Sequence, residues 1–134
     1  MRRALDLSAG ATSAYPGRLL AEVGWDVVKV EPAQGDPLRL VQSRMGGGTG
    51  GAFACLNHGK RSVVVNGNLL QKLATRADVV IGDFSVEGVS TSGIPRTSIE
   101  KLAPRYVKCS LSAFGLTGPQ STWHSSELVM QAMS

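Results

Sequence analysis

A short apolar strand that ends at a carboxylate constrains the fold of this chain most strongly. Residues 25–39 read W-D-V-V-K-V-E-P-A-Q-G-D-P-L-R, so the apolar run stops at Glu31 and a loop with Asp36 and Arg39 follows. In open α/β sheets, ligands bind outside the carboxyl ends of the strands. The pattern therefore predicts a sheet edge that faces a ligand, and it favours a nucleotide-like one.

The residues before this strand complete a βαβ unit. Residues 4–8 predict a first strand, and residues 15–24 predict a helix with Pro16 in its first turn and Gly24 at its C-terminal stop. The strand at 25–31 follows directly. Two strands joined by one short helix are parallel and right-handed by default.

Strands and helices continue to alternate along the chain. Further strands are predicted at 61–65, 77–81 and 106–111, and further helices at 69–77, from 97 or 98 to 102, and at 127–133. Residues 32–51, with M-G-G-G-T-G-G at their end, are predicted as an irregular loop, and 82–95 as a loop or a broken helix. The alternation predicts an α/β fold with an open, mainly parallel sheet and flanking helices.

Charge and composition exclude several classes of partner. A net charge of +4 suits a polyanionic small molecule as well as a nucleic acid, but aromatic residues make up 5% of the chain and do not interleave with basic ones. That disfavours a nucleic-acid stacking surface. No apolar stretch reaches the roughly 18 residues that cross a bilayer, and no signal peptide is visible. We expect a cytoplasmic protein with neither a nucleic-acid nor a membrane partner.

Common nucleotide and metal motifs are absent from the sequence. Gly59 and Lys60 are followed by Arg61 rather than serine or threonine, so the P-loop pattern fails. No G-x-G-x-x-G follows the first strand, which disfavours ordinary dinucleotide binding. Two histidines and two cysteines lack the spacing of a metal site, so no metal is expected.

Five side chains near the predicted strand ends are candidates for ligand contact, each with a structural alternative. Lys60 and Arg61 follow a turn glycine and can face a phosphate, or they form a solvated strand edge. Asp83 and Phe84 follow the fourth strand and can hold an adenine or a ribose, or they are a loop acid and a core aromatic. Glu127 is either a carboxylate nucleophile or an acid that the helix dipole stabilises.

The ordered series of segments resembles the N-terminal domain of the class III CoA-transferases, the family that includes formyl-CoA transferase, carnitine CoA-transferase and α-methylacyl-CoA racemase. The resemblance is carried by L-D-L-S at 5–8, G-R-L-L-A-E-V-G-W-D-V-V-K-V-E-P at 17–32, G-D-P-L-R at 35–39, L-N-H-G-K-R-S-V at 56–63, A-D-V-V-I-G-D-F at 77–84, P-R-Y-V-K-C-S-L-S-A-F-G-L-T-G-P at 104–119 and E-L-V-M-Q-A-M-S at 127–134.

The resemblance implies a Rossmann-like, CoA-binding N-terminal domain over residues 1–134, from a two-domain fold whose homodimers interlock. In the family, an aspartate attacks an acyl-CoA thioester, and a carboxylic acid then takes the CoA, with no permanent cofactor. That aspartate maps onto Glu127. By the same resemblance, Lys60 and Arg61 become candidate phosphate neighbours, and Phe84 with Val65 becomes a wall beside the adenine.

Three departures from the family pattern keep alternatives open. Glu127 is one methylene longer than aspartate, and Asp83 replaces an amide. The family's second domain has no counterpart in 134 residues, so we expect a truncated product or a fragment that lacks turnover by itself. The alternatives are a non-catalytic remnant that binds CoA or a nucleotide, and an acyl-CoA racemase-type enzyme, which would need a histidine and aspartate pair.

Overall fold

A computed structural model describes residues 1–41, 50–64, 67–83 and 106–133 of the chain. Its elements are, in order, β1 (Arg3–Asp6), α1 (Ala11–Glu22), β2 (Asp26–Glu31), a 3-10 turn (Pro37–Arg39), α2 (Gly51–Leu56), β3 (Arg61–Val64), α3 (Gly67–Ala74), β4 (Val79–Gly82), β5 (Val107–Ser110) and α4 (Glu127–Met133). The predicted helix that begins at 97 or 98 and the loop at 84–95 lie outside the described residues. None of the described helices is long and apolar enough to cross a membrane.

The five strands within the described residues form one parallel sheet in the order β3-β2-β1-β4-β5. Leu5 of β1 pairs with Val28 of β2 on one side and with Val80 of β4 on the other. Strands β2 and β3 lie on one side of β1, and β4 and β5 lie on its other side. The strand order therefore reverses between β1 and β4, which is the switch point where such sheets bind ligands. The predicted α/β class with a parallel sheet and flanking helices is confirmed.

Alternation along the central strands gives the sheet two different faces. One face is apolar, and helix α3 covers it: the core there is formed by Leu5, Leu7, Val28, Val30, Leu70, Ala74 and Val80. The other face carries Asp6, Lys29 and Glu31, all of which are buried. Helix α1 lies on that side, because its Gly17 is next to Asp6 and the helix contacts β1, β2 and β4. Helix α2 packs against α1. Burial on both faces is expected for a parallel sheet, but the polar side chains of the second face then need partners.

Helix α1 begins earlier than the sequence predicts. It starts at Ala11, so Pro16 lies inside the helix and not in its first turn. Pro16 has no N–H to donate to the carbonyl of Thr12, which weakens the helix at that point. Gly10, with φ of 96°, turns the chain into the helix only four residues after β1 ends.

Helix α2 and the 3-10 turn were not predicted. The chain at 32–51 was expected to be irregular, yet Pro37–Arg39 forms a turn in which Asp36 accepts a hydrogen bond from the N–H of Leu38. Helix α2 is short and starts at a glycine, so its own sequence favours it little. Its one buried residue, Phe53, packs beneath the guanidinium of Arg39. Tertiary contact therefore stabilises this helix.

Candidate functional site

A cavity of about 600 Å³ lies at the carboxyl ends of β1, β4 and β5. Its lining consists of the cavity segment, residues 9–13, together with Asp83, residues 110–113, Gly115, Ser125 and Met130. The volume is within the usual range for small-molecule sites, and the position is the switch point of the sheet. The predicted ligand-facing edge therefore carries a cavity, although it centres on β1 and β4 and not on Glu31.

The cavity segment combines hydroxyl groups with the start of helix α1. Gly10 is the N-terminal cap of the helix and has no side chain that could accept a hydrogen bond from its first turn. The N–H groups of a helix's first turn have no partner within the helix and can donate to a negatively charged or carbonyl oxygen. Ser13 donates to the carbonyl of Ala9 at 3.2 Å and reaches Oδ2 of Asp83 at 3.5 Å, which links the segment to the end of β4.

Glu127, the predicted nucleophile, is the first residue of α4. Two residues that flank it in sequence, Ser125 and Met130, line the cavity. Ser126 accepts a hydrogen bond from the N–H of Val129 at 3.3 Å and so caps the helix start. Residues on either side of Glu127 thus line the cavity, and the nucleophile role itself stays a prediction.

Lys60 lies inside the protein, in an ion pair with Asp6. Its Nζ is 2.7 Å from Oδ2 of Asp6 and donates to the carbonyl of Ala14 at 2.7 Å and to Oδ1 of Asn57 at 2.9 Å. Both charged side chains are at most 1% exposed. Burial lowers the pKa of Lys60 below its ordinary value, and the carboxylate of Asp6 opposes that effect. A phosphate would reach Lys60 only by breaking this pair, so phosphate contact there stays a prediction.

The ion pair lies where helix α1 crosses the sheet most closely. A Cβ on Gly17 would be 2.6 Å from Oδ2 of Asp6 and 3.0 Å from Nζ of Lys60. Such a distance is shorter than van der Waals contact, so any side chain at this position would displace the ion pair. The glycine of the G-R-L-L segment is therefore required by the buried charges beneath it.

A second buried ion pair lies beside the first. Nζ of Lys29 is 2.7 Å from Oδ2 of Asp36, and both side chains are 1% exposed. Oδ2 of Asp36 accepts no hydrogen bond from the described residues, whereas Lys29 does donate one to the carbonyl of Ser8 at 2.9 Å. Lys29 and Asp36 also act electrostatically on Lys60, so the two pairs form one neutral cluster of four charges.

Glu31 anchors the loop that follows β2. Its two carboxylate oxygens each accept a hydrogen bond from Arg39 at 2.7 Å, and further donors are Ser62 and the N–H of Asp36. The guanidinium of Arg39 also lies 3.7 Å from the ring centre of Phe53. Arg39, chiefly, lowers the pKa of Glu31 to about 2. The strand-acid-loop pattern thus builds a structural anchor, in which both carboxylate oxygens of Glu31 already accept hydrogen bonds from protein groups.

Arg61 lies at the opposite end of the sheet from the cavity. It is at the amino end of β3, is 67% exposed, and binds Asp26, the first residue of β2, at 2.7 Å. Arg3 binds the same carboxylate at 2.8 Å and is the largest cause of the lowered pKa of Asp26. Lys60 and Arg61, though adjacent in sequence, therefore do not come together at one site. Phosphate contact at Arg61 stays a prediction.

The predicted adenine wall cannot be placed, because Val65 and Phe84 lie outside the described residues. Of the three predicted CoA contacts that the structure describes, Asp83 lines the cavity, whereas Lys60 and Arg61 do not. Sequence reasoning missed the cavity segment, whose signal was the glycine and hydroxyl residues immediately after the first strand. It also missed the charge cluster, whose signal was Asp6 and Lys29 within otherwise apolar strands.

Known proteins with similar sequences are CoA-transferases. The chain is 33% identical to the succinate–glutarate CoA-transferase of Agrobacterium fabrum and covers 36% of it, and it is 38% identical to a probable CoA-transferase of Mycobacterium tuberculosis, of which it covers 17%. Identity to the formyl-CoA:oxalate CoA-transferase of Streptomyces coelicolor is 31%, with 33% of that protein covered. These alignments include 97% or 98% of the chain, which thus spans about a third or less of the length of these relatives.

Solved structures agree with the sequence comparison. A CAIB/BAIF family protein from Brucella suis superposes with a TM-score of 0.84 at 28% identity, over 98% of this chain and 38% of that protein. A protein from Mycobacterium tuberculosis gives a TM-score of 0.78 at 26% identity, over 98% of this chain and 38% of that one. The family model for CoA-transferase family III matches residues 2–134. Because that match takes in nearly every residue, the chain belongs to CoA-transferase family III.

Proposed function

We propose that this chain supplies the CoA-binding part of an enzyme that moves CoA from an acyl-CoA to a carboxylic acid. The observation that carries the proposal is the cavity of about 600 Å³ at the switch point, whose lining includes Ser125 and Met130 on either side of Glu127 in sequence. Relatives named as CoA-transferases support the same reaction class. Acyl-CoA and a carboxylate are the substrates, and no permanent cofactor takes part.

The chemistry that we assign to Glu127 is an exchange between anhydride and thioester. A carboxylate oxygen of Glu127 attacks the thioester carbon, and the C–S bond breaks to release the CoA thiolate and leave a mixed anhydride. The thiolate then attacks the glutamyl carbonyl, which forms an enzyme thioester and releases the first acid. The acceptor carboxylate repeats both steps in reverse order, so it leaves as acyl-CoA and Glu127 is restored.

The cavity offers donors for the negative charge that develops at each carbonyl oxygen. N–H groups of the first turn of α1 and the hydroxyls of Thr12, Ser110 and Ser112 belong to residues of its lining. Donors fixed in place before the reaction stabilise an oxyanion most effectively. Among the described lining residues no lysine or arginine appears, so the cavity suits the uncharged thioester end of acyl-CoA better than its phosphates.

Blocking the cavity should weaken CoA binding. Thr12 lines the cavity, and Thr12→Trp would place an indole in the space that the ligand needs. We expect calorimetry on the full chain to show a dissociation constant for CoA that is at least about tenfold higher than that of the unaltered chain. Thr75→Trp adds the same bulk at an exposed position at the end of α3 and should leave the constant unchanged. Equal CoA binding by all three proteins would place the ligand elsewhere.

Glu127 should be the residue that carries the acyl or CoA group. We expect the chain, incubated with succinyl-CoA and then hydroxylamine, to yield a hydroxamate on the peptide that contains Glu127, because hydroxylamine cleaves anhydrides and thioesters of carboxylates. Glu127→Gln should yield none. Glu22→Gln alters an exposed glutamate of α1 and should leave the hydroxamate in place. Mass spectrometry of the digested chain gives the position.

Two outcomes would argue against the full proposal in different ways. CoA binding in the cavity without any hydroxamate at Glu127 would favour a part that binds CoA but does not itself react. Absence of CoA binding in the unaltered chain would remove CoA as the ligand of these residues. Both measurements therefore bear on separate halves of the proposal.

A further inference from the structure

Two buried lysines flank the cavity segment, residues 9–13. The segment is preceded by Ser8, whose carbonyl accepts a hydrogen bond from Lys29 at 2.9 Å. It is followed by Ala14, whose carbonyl accepts one from Lys60 at 2.7 Å. Each end of a segment that lines the cavity is therefore held by a charged donor from a different part of the chain.

Asp6 connects the two ends of the segment. Its Oδ1 accepts hydrogen bonds from the N–H of Ser8, at 3.0 Å, and from the hydroxyl of the same residue. Its Oδ2 accepts from Lys60 at 2.7 Å. A shift at either end would therefore be opposed by a carboxylate that is itself fully buried at the end of β1.

Fold stability alone does not account for two charged pairs at this place. Replacing a buried ion pair by apolar side chains of similar size is often neutral or stabilising, because two charges no longer have to leave water. What apolar side chains cannot do is donate hydrogen bonds to the Ser8 and Ala14 carbonyls. The charged pairs provide directional contacts with the backbone on both sides of the cavity segment.

We propose that Lys29 and Lys60 are positioning residues, which hold the cavity segment in the geometry that receives the ligand by binding the carbonyls of Ser8 and Ala14. Neither lysine is among the residues that line the cavity. The inference rests on the proposed function only for the identity of that ligand, CoA. A segment held in its bound geometry binds more tightly, since none of the affinity is lost in ordering it.

The test uses paired variants, because a single substitution would leave a buried charge without its partner. Lys60→Met with Asp6→Asn, and Lys29→Met with Asp36→Asn, remove both charges of each pair at nearly constant volume. Lys72→Met makes the same change at an exposed lysine of α3 and is the control. Two-dimensional amide NMR on the labelled full chain reports the cavity segment, and calorimetry reports the affinity for CoA.

In both paired variants we expect the amide signals of residues 9–14 to shift or broaden, while those of Leu70 and Ala74 in the core stay in place. If the segment then spends about one tenth of its time in the bound geometry, the dissociation constant for CoA rises about tenfold. Lys72→Met should alter neither measurement.

Unchanged amide signals for residues 9–14 in both paired variants would overturn the proposal, as would CoA affinity equal to that of the unaltered chain. Loss of all native signals in one variant leaves the decision to the other, since each tests one end of the segment. Failure of the unaltered chain to bind CoA would remove the proposed ligand. The signals of the ligand-free variants would in that case still decide whether the lysines position the segment.

Discussion

Lys29→Met is expected to lower the free energy of unfolding by about 3–5 kcal/mol, the usual effect of removing one partner of a buried ion pair. Asp36 is 1% exposed, so its carboxylate would be left without its counter-ion and out of reach of water. The carbonyl of Ser8 would lose its donor as well. Methionine fills much of the lysine volume, so the effect arises from charge and hydrogen bonding and not from a cavity.

The double variant Lys29→Met with Asp36→Asn separates these causes. It removes the uncompensated charge while it keeps the packing, so we expect most of the stability to return, with a remaining loss of about 1–2 kcal/mol for the hydrogen bond at Ser8. Lys72→Met, at an exposed site, should change the free energy of unfolding by less than about 0.5 kcal/mol. Urea unfolding followed by circular dichroism measures all three variants.

A double variant as unstable as Lys29→Met alone would contradict this explanation. It would mean that the volume or the hydrogen bond of Lys29, and not the charge left on Asp36, accounts for the loss. A single variant as stable as the unaltered chain would mean that water or a rearranged side chain reaches Asp36, so that its charge is not isolated.

The sheet could be predicted from the sequence because its signals are local. Val28 and Val30 alternate with polar residues over one strand, and the strand stops at an acid, a proline and a glycine. Helix α4 was likewise predicted over its observed range, 127–133. Such patterns depend only on neighbours in the chain.

The charge cluster could not be predicted in the same way, because its contacts join distant parts of the chain. Lys60 is 54 residues from Asp6 and 46 residues from Ala14. From sequence, a lysine after a turn glycine resembles a surface residue that faces a phosphate. Only the packing of α1 onto the sheet, with Gly17 at the crossing, shows that Lys60 is enclosed. Helix α2 was missed for a related reason, since contact between Phe53 and Arg39 stabilises it.

Arg39→Met is expected to lower the free energy of unfolding by about 3 kcal/mol at pH 7 and by much less near pH 2. Glu31 is 3% exposed, and Arg39 is the main reason why its pKa falls from 4.5 to about 2. A carboxylate whose pKa is lowered by folding stabilises the fold fully above its unfolded value, 4.5. That contribution is lost as the pH falls through about 2, because Glu31 is then protonated in the folded and unfolded states alike.

Removing Arg39 should therefore raise the pKa of Glu31 and flatten the dependence of stability on pH between 4.5 and about 2. Urea unfolding at pH 7, 4 and 3 measures the difference between the two proteins, which should shrink as the pH falls. Arg76→Met removes an exposed arginine after α3 and should shift stability equally little at each pH. A loss in Arg39→Met that stays constant across the series would show that the contact with Phe53, and not the charge of Glu31, is what Arg39 contributes.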